Sequence, residues 1–163
     1  FVIKLLKISG AGKIIAIDVN PIKLSNALVN GADATFDPGD NPEEYIKELT
    51  DSRGVDIAFE AAGRGETVNL AVDCVRKGGT VALIGNTSKT VEFPLQKAVT
   101  KEIKLQGSCA IRGEYDVILK LLAGRQLVVD DQISAVAPLK DGAAWFEKLY
   151  KREENLNKVI LVP

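Results

Sequence analysis

Residues 13–21 constrain the fold of this chain more than any other stretch. An apolar run at 14–17 ends in a carboxylate at Asp18, and Pro21 follows two residues after Val19. A short, wholly apolar run is typical of a strand that is buried on both faces of a parallel sheet. Proline is favoured at the first position of a helix. The stretch therefore predicts a buried strand that leads directly into a helix.

The same alternation of short apolar segments and helix-length segments continues along the chain. The predicted strands are 13–18, 32–36, 55–60, 80–84 and 102–109, and the predicted helices are 2–8, 21–29, 42–50, 66–75 and 95–99. The residues Lys77, Gly78 and Gly79 are expected to end the fourth of these helices. Alternation of this kind calls for a mostly parallel sheet with helices on both faces, which is a doubly wound α/β domain.

The alternation of short apolar segments and helix-length segments changes beyond Gly113. Helices are predicted at 115–123 and 142–150, and strands at 133–137 and 158–162, which gives a C-terminal αβαβ segment. We therefore expect two parts, an α/β part at 1–112 and a C-terminal segment at 113–163. Two charge clusters, 130–131 and 152–154, are interpreted as solvated surface.

The composition excludes several classes of function. Among 163 residues, Lys and Arg number 21, Asp and Glu number 22, and the net charge is -1, so nothing favours nucleic acid or an anionic membrane as partner. There is no histidine, and Cys74 and Cys109 lack metal-ligand spacing, so no metal site is expected within the chain. The isolated thiols suit the cytoplasm. A chain that starts at Phe1 and contains no methionine is interpreted as a fragment.

Asp18 is the strongest candidate for a functional residue. A carboxylate at the end of the second strand of a dinucleotide-binding βαβ unit accepts hydrogen bonds from the hydroxyls of the adenosine ribose. It also repels the 2′-phosphate of NADP, so it favours NAD. The alternative is a helix N-cap or a solvated strand end. The glycine-rich loop expected about 20 residues earlier is absent, and the glycines at 10–12 lie too close to Asp18 to replace it.

Several motifs, taken in order, extend this pattern over essentially the whole chain. They are Ser-Gly-Ala at 9–11, Ile-Asp-Val-Asn-Pro at 17–21, Gly-Ala-Asp at 31–33, the run 54–63, Gly-Gly-Thr-Val-Ala-Leu-Ile-Gly at 78–85 and Asn-Lys-Val-Ile-Leu at 157–161. In this order they resemble the C-terminal part of a zinc-type medium-chain alcohol dehydrogenase, the polyol and threonine dehydrogenase branch above all.

The resemblance implies a full-length parent enzyme that transfers a hydride between a secondary, polyol-like alcohol and NAD. It implies that 1–112 is an incomplete dinucleotide-binding (Rossmann) domain. It places zinc and the small alcohol substrate in an N-terminal domain that is absent here, against which 113–163 would pack. The chain itself is expected to hold no catalytic and no metal-binding residue, and to be inactive alone.

The resemblance also implies which residues contact the cofactor. They are Asp18, Lys23, Ala61, Ala62, Gly63, Arg64, Ile84, Gly85, Asn86, Ser108, Cys109, Ala110 and Lys158.

Lys23 would reach the same ribose as Asp18, the small residues 61–63 would let the backbone approach the cofactor, and Arg64 would stack on the adenine. Residues 84–86 and 108–110 would contact the nicotinamide amide, and Lys158 would reach the pyrophosphate. A surface role is the alternative for each basic residue and an ordinary turn for 84–86. Cys109 is expected to pack as a small apolar residue.

Three further expectations concern partners. Members of the family pair edge strands through the segment that matches 105–111, so a homodimer is expected there. A Rossmann-like dimerisation module without cofactor is the rival function, and an NADP-linked quinone reductase is disfavoured by Asp18.

In the 3-2-1-4-5-6 order, a missing central strand would separate 13–18 from 55–60. Either the sheet closes the gap by another pairing, which direct pairing of these two strands would show, or the chain is stable only when something fills the slot.

Overall fold

A computed structural model describes residues 1–151 and 156–163 of the chain. The chain divides into two compact units, Phe1–Arg112 and Gly113–Pro163. The charge cluster predicted at 152–154 lies outside the described residues. No helix among the described residues is both long and apolar enough to cross a membrane.

The first unit alternates helices and strands. Its helices are α1 (Val2–Ile8), α2 (Pro21–Val29), α3 (Pro42–Leu49), α4 (Gly65–Cys74) and α5 (Leu95–Thr100), with a 3-10 turn at Pro38–Asp40. Its strands are β1 (Ile15–Ile17), β2 (Ala34–Phe36), β3 (Val55–Glu60), β4 (Val75–Leu83) and β5 (Lys104–Gly107). The bounds of α1, α2 and β3 are those that the sequence predicts.

Every strand pair in the first unit is parallel. β1 pairs with β2, and β4 lies between β3 and β5 in a second sheet. This arrangement confirms the predicted α/β class. Within 1–112, all of which the structure describes, β1 and β3 belong to different sheets. Direct pairing of these two strands, one of the two expected outcomes, is therefore not what the structure shows. The other outcome stays a prediction.

The start of β4 corrects the predicted helix stop at 77–79. The strand begins at Val75, which pairs with Val55, and the register shifts before Ile57 meets Thr80. Gly78 has a φ of +68°, and a Cβ on Gly79 would lie 2.5 Å from Cγ1 of Val75. The two glycines thus form an irregular strand segment instead of a break, because only glycine leaves room for this close approach.

Two small cores support the strands of the first unit. Val72, Val75 and Val81 are buried between α4 and the sheet of β3 and β4. A second cluster joins Ile14, Ala27 and Ala32 beneath α1 and α2. The first cluster packs α4 against β3 and β4, and the second includes Ile14 and Ala32, which lie just before β1 and β2. In open α/β sheets ligands bind at the other, carboxyl ends of the strands.

The second unit contains α6 (Tyr115–Ala123), β6 (Ile133–Pro138), α7 (Gly142–Tyr150) and β7 (Lys158–Val162). β6 and β7 form a parallel pair. The predicted αβαβ order is confirmed, and α6, α7 and β7 have the predicted bounds. The charged pair at 130–131 is exposed in a one-turn 3-10 helix, as predicted.

Candidate functional site

Asp18 follows the last residue of β1 and remains partly accessible. Its backbone N–H donates to the carbonyl of Phe36, which continues the β1–β2 pairing by one residue. Its Oδ1 accepts from the backbone N–H of Asn20 at 2.9 Å, and its Oδ2 lies 3.7 Å from Nζ of Lys23. The side chain of Asp18 is 33% exposed. The carboxylate is thus held at the strand end, with an oxygen directed to a lysine.

The residue that caps α2 is Asn20. Its Oδ1 accepts from the backbone N–H groups of Ile22 and Lys23, and Pro21 supplies the fixed φ of the first helical position. The N-cap alternative for Asp18 is therefore excluded. The cap also fixes the first turn of α2, so that Lys23 lies beside Asp18.

Val19 is a residue that the sequence analysis overlooked. This apolar side chain lies between Asp18 and the helix cap and is 75% exposed. A large exposed aliphatic group next to a carboxylate offers a flat ligand an apolar surface. The signal in the sequence was an apolar residue directly after Asp18, beyond the predicted end of the strand.

A turn at 61–64 follows β3 and is organised by Glu60. Oε1 of this carboxylate accepts from the backbone N–H groups of Ala62 and Gly63, both at 2.8 Å, and from the hydroxyl of Thr67 at 2.7 Å. Oε2 is buried and has no hydrogen-bond partner among the described residues, which costs about 1–3 kcal/mol. Sequence analysis missed Glu60, although, like Asp18, it is an acid at the end of an apolar strand.

The segment 84–88 lies directly against this turn. Ser88 N–H donates to the carbonyl of Gly63 at 2.9 Å, and the hydroxyl of Thr87 donates to the carbonyl of Ala62 at 2.7 Å. A Cβ on Gly63 would lie 2.5 Å from the backbone nitrogen of Asn86. The structure thus brings two of the predicted cofactor segments, 61–64 and 84–86, into contact. Ile84 and Asn86 are both exposed.

Arg64 precedes α4 and is exposed. It lies at the rim of an open, polar cavity of about 500 Å³. The other lining residues are Gly65, Glu66, Asn69, Ser88, Thr90, Val91 and Glu92. Oδ1 of Asn69 is buried without a hydrogen-bond partner among the described residues. The guanidinium is therefore placed on an accessible surface next to the turn, where it is able to stack on a ligand.

Residues 108–110 leave the sheet instead of extending it. β5 ends at Gly107, and Ser108 N–H makes one further bond to the carbonyl of Leu83. Ala110 adopts a φ of 47°. Cys109 is exposed, so the prediction that it packs as a small apolar residue is wrong, because the chain has already turned away from β4 at this point.

Lys158 is the first residue of β7, in the second unit, and it is exposed. The described residues contain no group of three or more His, Cys, Asp or Glu side chains that could hold a metal ion. A catalytic zinc site does not fit this part of the chain, whose sequence also lacks histidine.

Comparison with known proteins identifies the relatives of this chain. A family model described as zinc-binding dehydrogenase matches residues 1–124. D-xylulose reductase A of Aspergillus niger is 30% identical over 149 residues, which is 88% of this chain and 42% of that protein. The resemblance predicted from the motifs is thereby confirmed.

Solved structures give the same result. Alcohol dehydrogenase TADH from Thermus sp. ATN1 superposes with a TM-score of 0.89 and is 30% identical, with 98% of this chain and 46% of that one covered. L-idonate 5-dehydrogenase from Escherichia coli superposes with a TM-score of 0.88 at 28% identity, covering 99% and 46%. The Rossmann-like fold class is confirmed. The chain spans less than half the length of each of these relatives.

Proposed function

The chain belongs to the zinc-binding dehydrogenase family, and we propose that its first unit is the NAD-binding part of an oxidoreductase. The whole enzyme would transfer a hydride between a secondary, polyol-like alcohol and NAD. The relatives named as D-xylulose reductase and L-idonate 5-dehydrogenase support this class of substrate.

The observation that carries the proposal is the position of Asp18. A partly accessible carboxylate, 33% exposed, follows a parallel strand, and the next helix is capped by another residue. Its oxygens are therefore available to the vicinal hydroxyls of a ribose. Lys23 is held 3.7 Å away, where it neutralises part of the charge and reaches the same sugar. The 2′-phosphate of NADP would meet a carboxylate at this place, so NAD is the preferred cofactor.

The remaining contacts follow from the accessible segments of the first unit. Arg64 and Val19 offer surfaces to the adenine, the small residues 61–63 let the cofactor approach the backbone, and 84–86 and 108–110 bind the nicotinamide amide. The bound cofactor supplies the hydride chemistry, and the residues of this chain bind and orient it. Lys158 remains the proposed contact to the pyrophosphate.

Direct titration of the chain tests the proposal. We expect measurable NAD binding, weaker binding of NADP, and about tenfold weaker NAD binding by Asp18→Asn, which keeps the acceptor for Asn20 but loses the charge. Asp18→Ala should bind more weakly still. Glu48→Ala removes an exposed acid on α3 and is the control. Equal affinity of wild type and both Asp18 variants would contradict the assignment, and tighter binding of NADP would favour a quinone reductase.

Catalysis is not expected from the chain alone. Its described residues contain no group of three or more His, Cys, Asp or Glu side chains that could hold a metal ion. The carboxylates at the strand ends, Asp18 and Glu60, are assigned to cofactor binding and to the turn at 61–64. The purified chain should produce no NADH from an alcohol and NAD, even with zinc added. NADH formation under these conditions would show that the chain is catalytically complete.

The second candidate function is a dimer interface at the sheet edge. Among the described residues, β5 pairs with β4 on one side and with no strand on the other, and all four of its residues are exposed. Leu105 and Ile111 present apolar side chains near this edge. We propose that two copies join along 105–111, through backbone hydrogen bonds and these side chains.

Light scattering tests this interface. The wild-type chain should have the mass of a dimer, and Leu105→Lys should shift it toward the monomer because charge at an edge opposes strand pairing. Val128→Lys, at an exposed apolar position of the second unit, is the control. A dimer that persists in Leu105→Lys would locate the interface elsewhere. If neither NAD nor NADP binds and the dimer forms, the interaction module is the better description.

Two further proposals concern context. The second unit is proposed to pack against the domain that holds zinc and substrate in the whole enzyme, because it exposes Phe146, Leu139 and Val136. Both cysteines are free thiols, which supports a reducing compartment, the cytoplasm.

A further inference from the structure

Glu60 is the one charged residue among those that the structure describes as buried, with 3% of its surface exposed. It is the last residue of β3. Its Oε1 collects three hydrogen bonds, from the N–H groups of Ala62 and Gly63 and from the hydroxyl of Thr67. One oxygen therefore ties the strand end, the following turn and the first turns of α4 together.

The backbone of Glu60 makes the second connection. Its carbonyl oxygen accepts from the N–H groups of Ile84 at 2.8 Å and Gly85 at 3.0 Å. The same residue thus fixes the turn at 61–64 through its side chain and the segment 84–85 through its main chain. In the proposed function, 84–86 binds the nicotinamide amide, the small residues 61–63 let the cofactor approach the backbone, and Arg64 alone of this turn faces the adenine.

Oε2, the oxygen of Glu60 without a hydrogen-bond partner in the described part of the chain, indicates that this position requires a hydrogen-bond acceptor and not only a side chain of this volume. Oε2 is buried and has no hydrogen-bond partner among the described residues. An apolar side chain would avoid this burial of an unpaired oxygen, but it would leave the N–H groups of Ala62 and Gly63 without an acceptor. The geometry of the turn thus needs an acceptor with the reach of a Glu side chain.

We propose that Glu60 is a positioning residue of the dehydrogenase: it holds 61–64 and 84–86 in the shape that accepts the nicotinamide half of NAD. This inference rests on the proposed NAD binding. It assigns the effect to the acceptor geometry of Oε1 and not to the negative charge. AMP, which would be held by Asp18, Lys23 and only one residue of the turn, Arg64, should depend on Glu60 much less.

Three variants of the chain test the inference. Glu60→Ala should weaken NAD binding about tenfold and AMP binding less than about threefold, measured well below the melting temperature. Glu60→Gln keeps an acceptor oxygen of the same reach and should restore NAD affinity to within about threefold of wild type. Thr67→Val removes the hydroxyl that donates to Oε1 and that also lies 3.0 Å from the carbonyl of Arg64, and it should weaken NAD binding about threefold while the fold is retained. Glu48→Gln, which removes an exposed charge on α3, should change neither affinity.

The outcomes separate the two levels of the proposal. If the wild-type chain binds no NAD, the proposed function fails and the role of Glu60 fails with it. If the wild-type chain binds NAD and Glu60→Ala binds it equally well, only the positioning role is overturned. Equal losses of NAD and AMP affinity would also overturn it, since they indicate general loosening of the unit. If Glu60→Ala does not fold, Thr67→Val decides, and unchanged NAD affinity in this variant counts against the inference.

Discussion

Gly63 and Gly85 approach each other so closely that a Cβ built on Gly85 would lie 2.0 Å from the backbone nitrogen of Gly63. The two glycines belong to segments that follow different strands of the same sheet. Because backbone faces backbone at this contact, no side chain is able to move aside and relieve an added methyl group. The contact therefore sets the spacing of the two segments.

Gly85→Ala should destabilise the chain by at least about 2 kcal/mol, because the backbones must separate to admit the methyl group. Gly107→Ala is the matched control, since a Cβ there would meet no atom within 4 Å. Urea denaturation of both variants measures the difference. Equal free energies of unfolding for the two variants would show that the contact is not as tight as described.

The two thiols should differ sharply in reactivity. Burial raises the pKa of the Cys74 thiol to about 12, whereas Cys109 is exposed. A disulfide reagent at pH 8 should modify one thiol per native chain and two after denaturation. Cys109→Ser should leave no fast-reacting thiol in the native protein. Rapid reaction of that variant would mean that Cys74 is reached by solvent.

Acid should weaken the chain through Asp56. Hydrogen bonds from Arg53 and Arg76 lower the pKa of this carboxyl from its ordinary value of 3.8 to about 2. A lowered pKa in the folded state stabilises the fold above about pH 3.8, and this contribution is lost as the pH falls toward about 2. The difference in free energy of unfolding between wild type and Asp56→Asn should therefore shrink across this window. A difference that stays constant from pH 6 to pH 2 would contradict the assignment.

The side chain of Lys101 caps the C-terminal end of α4. Its Nζ donates to the carbonyls of Val72 and Asp73, both at 3.0 Å. Lys101→Met keeps the length of the side chain but leaves these carbonyls without their donor, so we expect a loss of about 1–2 kcal/mol in free energy of unfolding. Lys104→Met, at an exposed position of β5, is the control. Calorimetry or chemical denaturation measures both, and equal stability of the two variants would exclude the capping role.

Local sequence patterns were sufficient to predict the bounds of an element where the residues that begin and end it lie within the same segment. The bounds of α2 were predicted because Pro21 marks the first helical position and Gly31 the stop within the segment itself, where the structure shows a left-handed φ. β3 was predicted equally well from its apolar run. The same local reading gave Asp18 as the end of a strand.

Long-range contacts decided the features that the sequence left open. The early start of β4 depends on the pairing of Val75 with Val55 across the sheet, which no pattern within 75–83 reveals. The exposure of Cys109 depends on where β5 leaves its neighbour. The proposed role of Glu60 depends on Thr67 and on residues more than twenty positions away. The local sequence therefore did not distinguish Glu60 from any other acidic residue at the end of a strand.

Because β1 and β3 lie in different sheets, each of them keeps one side without a strand partner in the described chain. Within 1–112, which the structure describes throughout, each of these strands has a strand neighbour on one side only. Their other sides are templates onto which a further polypeptide is able to add by backbone pairing. Self-association at high protein concentration is therefore expected to involve these free sides as well as the outer edge of β5.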